Sequence, residues 1–188
     1  MYKKNFISIL FLKARHKKTI ELLDGIKPKR ILDVGCDDGH FLGMLSEKFP
    51  DSKLYGCDLD GIALEEARKV CPKAEFSEGD FTKLDFKPVD LVLMLEIIEH
   101  SKDPRKMLEK AVKLTSKGHI LVSMPRPELL RWRMIWGIWS SFSERWKGQH
   151  SKLTEKQLIE MAQKLGLKLE KHSWFFFGCI SIMLFRNG

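Results

Sequence analysis

RILDVGCDDGHF, from Arg30 to Phe41, is the stretch from which the rest of the chain can be read. Ile31, Leu32 and Val34 make the short apolar run expected of a parallel strand buried on both faces. Gly35, Cys36, Asp37, Asp38 and Gly39 turn the chain, and Phe41, Leu42, Met44 and Leu45 open a helix. Such a turn leaves the first amide N–H groups of the helix pointing outward, and its glycines let a ligand approach the backbone. A glycine turn after a strand is by itself an ordinary βα junction. Asp33 adds to it, because a carboxylate inside a strand end is costly to bury unless turn amides or an ammonium group pair with it.

Working outward, Leu54 to Asp58 forms a second strand, which completes a βαβ unit. Asp58 lies nineteen positions beyond Gly39, the spacing at which nucleotide-binding folds set an acid at a strand end to accept from ribose hydroxyls. Asp60 is placed to cap the next helix, Gly61 to Val70, with Ile62, Leu64, Ala67 and Val70 available to pack. Glu75 to Phe81 is a third strand and its exit. Val89 to Leu95 is the most apolar strand and belongs near the centre. It runs into Glu96-Ile97-Ile98-Glu99-His100. On a helical turn Glu96, Glu99 and His100 share a face, and two carboxylates with an imidazole suit a hard metal such as magnesium or manganese. The same residues also have a purely structural reading.

A helix over Ser101 to Lys117 and a strand over His119 to Met124 follow. Thr154 to Leu165 is a helix whose start resembles a capping box, and Gly166 ends it. Leu167 to Phe177 and Cys179 to Arg186 read as a closing antiparallel pair around Gly178. No repeat or low-complexity linker divides residues 1–188, so one domain is expected.

The 188 residues carry a formal net charge of +8, and the four cysteines lack metal-type spacing, which reads as reduced, mostly buried thiols of a cytoplasmic protein. Much of the charge lies in residues 1–27, around the apolar run Phe6 to Leu12. That run is too short to span a bilayer and has no cleavage site after it. Residues 3–24 therefore read as a basic helix over one edge of the core. Its lysines fit a solvated face, a membrane surface or nucleic acid.

Ile31-Leu32-Asp33-Val34-Gly35-Cys36-Asp37-Asp38-Gly39 resembles the first motif of the class I S-adenosylmethionine-dependent methyltransferases, Asp-x-Gly-x-Gly-x-Gly. Asp33, Gly35 and Gly39 match it, and Asp37 stands where the middle glycine is usual. The resemblance implies an α/β, Rossmann-like fold with a seven-stranded, mainly parallel sheet and helices on both faces. It implies S-adenosylmethionine as cofactor, held by Asp33, Gly35, Asp37 and Gly39, with Asp58 on the ribose and Leu59 beside the adenine. Asp80 would accept from the exocyclic amine and Phe81 would pack on the ring.

Residues 126–151 form an insert in which Trp132, Trp136, Trp139 and Trp146 are interleaved with arginines. This composition suits a lid over the cleft, a helix at a membrane interface or stacking on nucleobases. His150 follows. Glu-x-x-Glu-His with a later histidine is similar to two kinds of methyltransferase, the O-methyltransferases of ubiquinone biosynthesis and the small-RNA 2′-O-methyltransferases. The latter resemblance implies a magnesium or manganese ion on Glu96, Glu99, His100 and His150, with Glu99, His100 and His150 acting on the acceptor. The expected activity is O-methylation of a small lipophilic or lipid-linked molecule, from the cytoplasm or its membrane surface. RNA methylation and a cofactor-binding scaffold without transferase activity are the alternatives.

Overall fold

The computed structural model describes residues 6–130 and 153–188. Helix α1 (Phe6–Leu22) precedes strand β1 (Arg30–Val34), and α2 (His40–Lys48) leads to β2 (Lys53–Asp58). Then come α3 (Gly61–Val70), β3 (Glu75–Glu78) and β4 (Leu91–Leu95). A single 3-10 turn at Ile98–His100 is followed by α4 (Pro104–Leu114) and β5 (His119–Pro125). Helix α5 (Glu155–Lys164) and strands β6 (Leu167–Phe175) and β7 (Ile180–Asn187) complete the described chain.

The seven strands form one sheet in the order β3-β2-β1-β4-β5-β7-β6. The first five are parallel, whereas β7 runs antiparallel to both β5 and β6. The expected architecture is therefore the observed one. Successive side chains alternate between the two faces. Leu32, Val34, Val92, Met94, Ile120 and Val122 pack with α4 and α5 on one face. Ile31, Leu91, Leu93, Leu121, Ile182 and Leu184 pack with the end of α1 and with α2 and α3 on the other.

Local chemistry sets the helix ends as read. The Asp60 carboxylate accepts from the Ile62 and Ala63 amides, and Thr154 and Gln157 form the capping box of α5. The helix expected over Ser101 to Lys117 is shorter, because Asp103 caps it and Pro104 is its first residue. Ile62 was expected to pack but is 78% exposed, and Val70 is exposed too, while Leu64 and Ala67 are buried. Two residues apart on a helix, Ile62 and Leu64 face nearly opposite ways.

From β1 the chain winds to β2 and β3 on one side, then returns to lay β4 and β5 on the other. That reversal opens a crevice beyond the carboxyl ends of β1 and β4, where open α/β sheets take ligands. No helix among the described residues is long and apolar enough to cross a membrane.

Candidate active site

The crevice begins with the turn after β1. Gly35, Asp37 and Gly39 all take left-handed backbone, with φ of 73°, 48° and 71°. Asp37 therefore keeps the turn that a glycine would make, as aspartate can at modest cost. Glycine is required on either side of it. A Cβ on Gly35 would come within 2.9 Å of the Ile97 side chain, and one on Gly39 within 2.9 Å of the Ala67 backbone. The turn is anchored to β2 by Gly35 and Cys36, whose N–H groups both donate to the Cys57 carbonyl at 2.8 and 3.1 Å.

Asp58 ties that turn to the next loop. Its carboxylate accepts from the Asp37 N–H at 2.9 Å and from the Asp60 N–H at 3.0 Å, one on each oxygen. Each oxygen retains a lone pair for a further donor. Asp58, Leu59, Ile62 and Glu78 line an open groove of about 620 Å³, with the last two supplied by the start of α3 and the end of β3. Leu59 and Ile62 are large, apolar and exposed there. Carboxylates beside bare apolar side chains suit a nucleoside, with hydroxyls to donate and a base to cover.

The sequence did not single out Glu78 or Ile62 for this groove. Glu78 comes there as the register partner of Asp58, and Ile62 because it cannot share a helix face with the buried Leu64. Gly61 and the Glu78 carboxylate lie close there, a Cβ on the glycine falling 2.6 Å from the carboxylate.

Asp33 is buried in β1 on the face covered by α1, α2 and α3, beside Gly56 and Leu93. Burial, and then the charge of Asp58, push its pKa up to about 8. Its carboxyl is thus mainly protonated at neutral pH and would ionise beside a cation.

The two adenine contacts that the resemblance implies, Phe81 and Asp80, are not among the residues lining this groove. Phe81 is only 4% exposed and packs in the core beside Phe86, with the Lys110 ammonium 5.4 Å above its ring. It is apolar and follows a turn, so the core claims it. Asp80 spends Oδ1 on its own turn, accepting from the Thr82 N–H at 2.8 Å and hydroxyl at 2.9 Å, and Oδ2 lies 3.8 Å from Lys83.

The helical turn expected over Glu96, Glu99 and His100 is corrected. Glu96 has φ 54° and precedes the 3-10 turn, so the i, i+3, i+4 geometry of a helix never begins there. Ser123 donates to Glu96 Oε1 at 2.9 Å, and Arg15 of α1 lies 3.8 Å from its Oε2. Glu99 is buried, with no hydrogen-bond partner at Oε2, while His100 is exposed. Burial, and then the neighbouring Glu96, hold the Glu99 pKa well above the usual carboxylate range. Among the described residues no group of three His, Cys, Asp or Glu side chains is disposed to hold a metal ion. His150 and most of the tryptophan-rich insert lie outside the described residues.

Comparison with known proteins agrees with this geometry. The family of methyltransferase domains matches residues 8–172. A trans-aconitate 2-methyltransferase of Pseudomonas aeruginosa is 30% identical over 120 residues, which is 61% of this chain and 44% of that protein. The enzyme of the same name from Rhodopseudomonas palustris is 26% identical over 148 residues, 76% of this chain and 55% of that protein. The chain thus spans about half the length of these relatives. Among solved structures, the magnesium protoporphyrin IX methyltransferase of Synechocystis, with bound SAH, superposes with a TM-score of 0.77 at 16% identity, covering 100% of this chain and 90% of that one. The N-methyltransferase NodS of Bradyrhizobium japonicum, also with S-adenosylhomocysteine, gives 0.74 at 18% identity, covering 94% and 87%. With the family matched over most of its length and the strand order and glycine turn in register, the chain belongs to the methyltransferase domains, in the Rossmann-like class I architecture.

Proposed function

We propose that the chain is an S-adenosylmethionine-dependent methyltransferase acting on a small molecule, with an oxygen as the methylated atom and a lipophilic body on the acceptor. The observation that carries the reading is the groove itself. Asp58 bridges two backbone amides and keeps acceptor capacity for ribose hydroxyls, Leu59 and Ile62 offer apolar cover to a base, and Asp33 lies buried behind the turn. A small acceptor is supported by the relatives named for trans-aconitate. The lipophilic body is the finer part of the reading, and it rests on the four tryptophans of the insert.

S-adenosylmethionine, when bound, supplies a methyl group on a sulfonium ready for in-line displacement. The protein's work is then to bind, orient and exclude water. Gly35, Asp37 and Gly39 expose backbone to the ligand, and Asp58 orients the ribose. Asp33 balances positive charge by giving up its proton. Glu99 is sealed in the core and holds the turn after β4, whereas His100 is exposed at the end of that turn and is the group to take a proton from the acceptor. No step is routed through magnesium or manganese.

The first experiment is calorimetric titration with S-adenosylmethionine, followed by a screen of small hydroxyl- and carboxyl-bearing acceptors. Micromolar binding with methyl transfer to one class supports the reading. Absence of binding would overturn it and leave a scaffold in its place. His100→Ala is expected to abolish transfer while leaving cofactor binding intact. Equal loss of both would give His100 a structural role.

A further inference from the structure

The antiparallel end of the sheet carries a feature that cofactor binding does not use. Strands β6 and β7 are joined through Phe176, Phe177 and Gly178, and all three are left-handed, with φ of 51°, 53° and 76°. Such backbone is costly for a bulky side chain, so two consecutive phenylalanines there are held by their surroundings. Arg126 supplies part of the hold: its N–H donates to the Cys179 carbonyl at 2.8 Å and its guanidinium to the Gly178 carbonyl at 3.2 Å.

The turn sends its two rings different ways. Phe176 packs edge-on against Phe11 of α1, with ring centroids 5.0 Å apart, while Phe177 is 79% exposed. Leu10, next to Phe11 on the helix, is exposed as well. Lys13 and Lys17 are exposed and follow Leu10 at i+3 and i+7, so they extend its face of α1. The turn thus meets α1 at Phe11, one residue from the start of this face. Their position bears on the site, because Ile180 pairs with Pro125 at the carboxyl end of β5, the edge of the sheet on which the crevice opens.

We propose that the Phe176–Phe177 turn and the Leu10–Lys13–Lys17 face of α1 dock on the headgroup layer of an anionic lipid bilayer. Phe177 and Leu10 enter the apolar boundary, and the two lysines meet the anionic headgroups. The charge of the patch chooses this occupant: the exposed face carries two cations before its first acid, Glu21, on a chain of net charge +8. Docking would turn the edge that bears the crevice toward the lipid, where a lipophilic acceptor is concentrated. That benefit rests on the proposed transferase activity, but the docking itself does not.

The test is co-sedimentation of the full chain with vesicles of phosphatidylcholine alone or mixed with phosphatidylglycerol, at low and high salt. Binding is expected to the mixed vesicles and to weaken with salt. Phe177→Ser should weaken it about tenfold, the effect of returning one aromatic side chain to water. Lys13→Glu with Lys17→Glu should remove the preference for anionic lipid. All three positions are exposed, so the variants should fold, and each should bind S-adenosylmethionine as the wild type does. No vesicle binding, or binding indifferent to Phe177→Ser, would overturn the proposal. So would concentration-dependent self-association that Phe177→Ser abolishes, since it would give the patch to a second copy of the chain. Cofactor titration without vesicles reports on the transferase reading separately.

Discussion

The two sides of the crevice are built differently. On the β1–β2 side the groups that set the geometry are backbone: three left-handed residues in five, two amides held by one Asp58 carboxylate, and glycines without which neighbours would collide. On the β4–β5 side they are side chains from distant elements, with Glu96 meeting Ser123 on β5 and Arg15 on α1, and with Glu99 sealed beneath. A site made of backbone is specified by a short local pattern. A site made of converging side chains depends on where α1, β4 and β5 come to rest.

The strongest way to break that contrast is Gly39→Val. It forces positive φ on a β-branched residue and sets its Cβ against the Ala67 backbone, so a loss of roughly 3 kcal/mol and of cofactor binding is expected in melting and calorimetry. Unchanged melting would mean that the turn is not the rigid half of the site.

Phe81→Ala separates a core role of the ring from a role at the cofactor. As a core residue it should cost about 3 kcal/mol or more in denaturant unfolding. A drop in cofactor affinity at unchanged stability would return Phe81 to the groove.

Asp58→Ala leaves the Asp37 and Asp60 amides without their acceptor and removes the proposed ribose contact. An affinity loss of about 100-fold is expected, with about 2 kcal/mol of stability lost alongside it. Asp80→Ala should matter less in calorimetry, because Asp80 serves its own turn.

A last test sharpens the comparison through pH. The folded pKa of Asp33 is about 8, against about 4 for an unfolded aspartate. Between those values the folded chain holds a proton that the unfolded chain has released, so this group lowers stability as pH rises from about 4 to 8. Asp33→Asn should flatten that decline in urea titrations across the range. If a cationic ligand sits beside Asp33, binding at pH 7 should release part of a proton, read as a dependence of binding heat on the buffer's ionisation enthalpy. No release would move the cation elsewhere.

Much of this was legible in the sequence where short-range forces decide. The strand-turn-helix of residues 30–41, the Asp60 cap, the capping box at Thr154 and the acid at Asp58 all follow from neighbours a few positions away. So does the left-handed turn at Asp37. What failed needed longer range. Glu96, Glu99 and His100 were assigned one face on the premise of a helix, but the Glu96 backbone turns left-handed where β4 ends. The burial of Phe81 beside Phe86 and Lys110 is likewise a packing outcome that its motif does not encode.

By itself, then, the sequence determined the alternation of strands and helices, the glycine turn and the acid that serves it, because steric freedom and hydrogen bonding act between near neighbours. Only the tertiary structure decided that Glu78 and Ile62 share the groove, that Glu99 is sealed from it, and that Phe177 stands in solvent on a turn that meets α1. Those outcomes depend on which surfaces remain once the sheet has closed, and no local pattern encodes what packing leaves exposed.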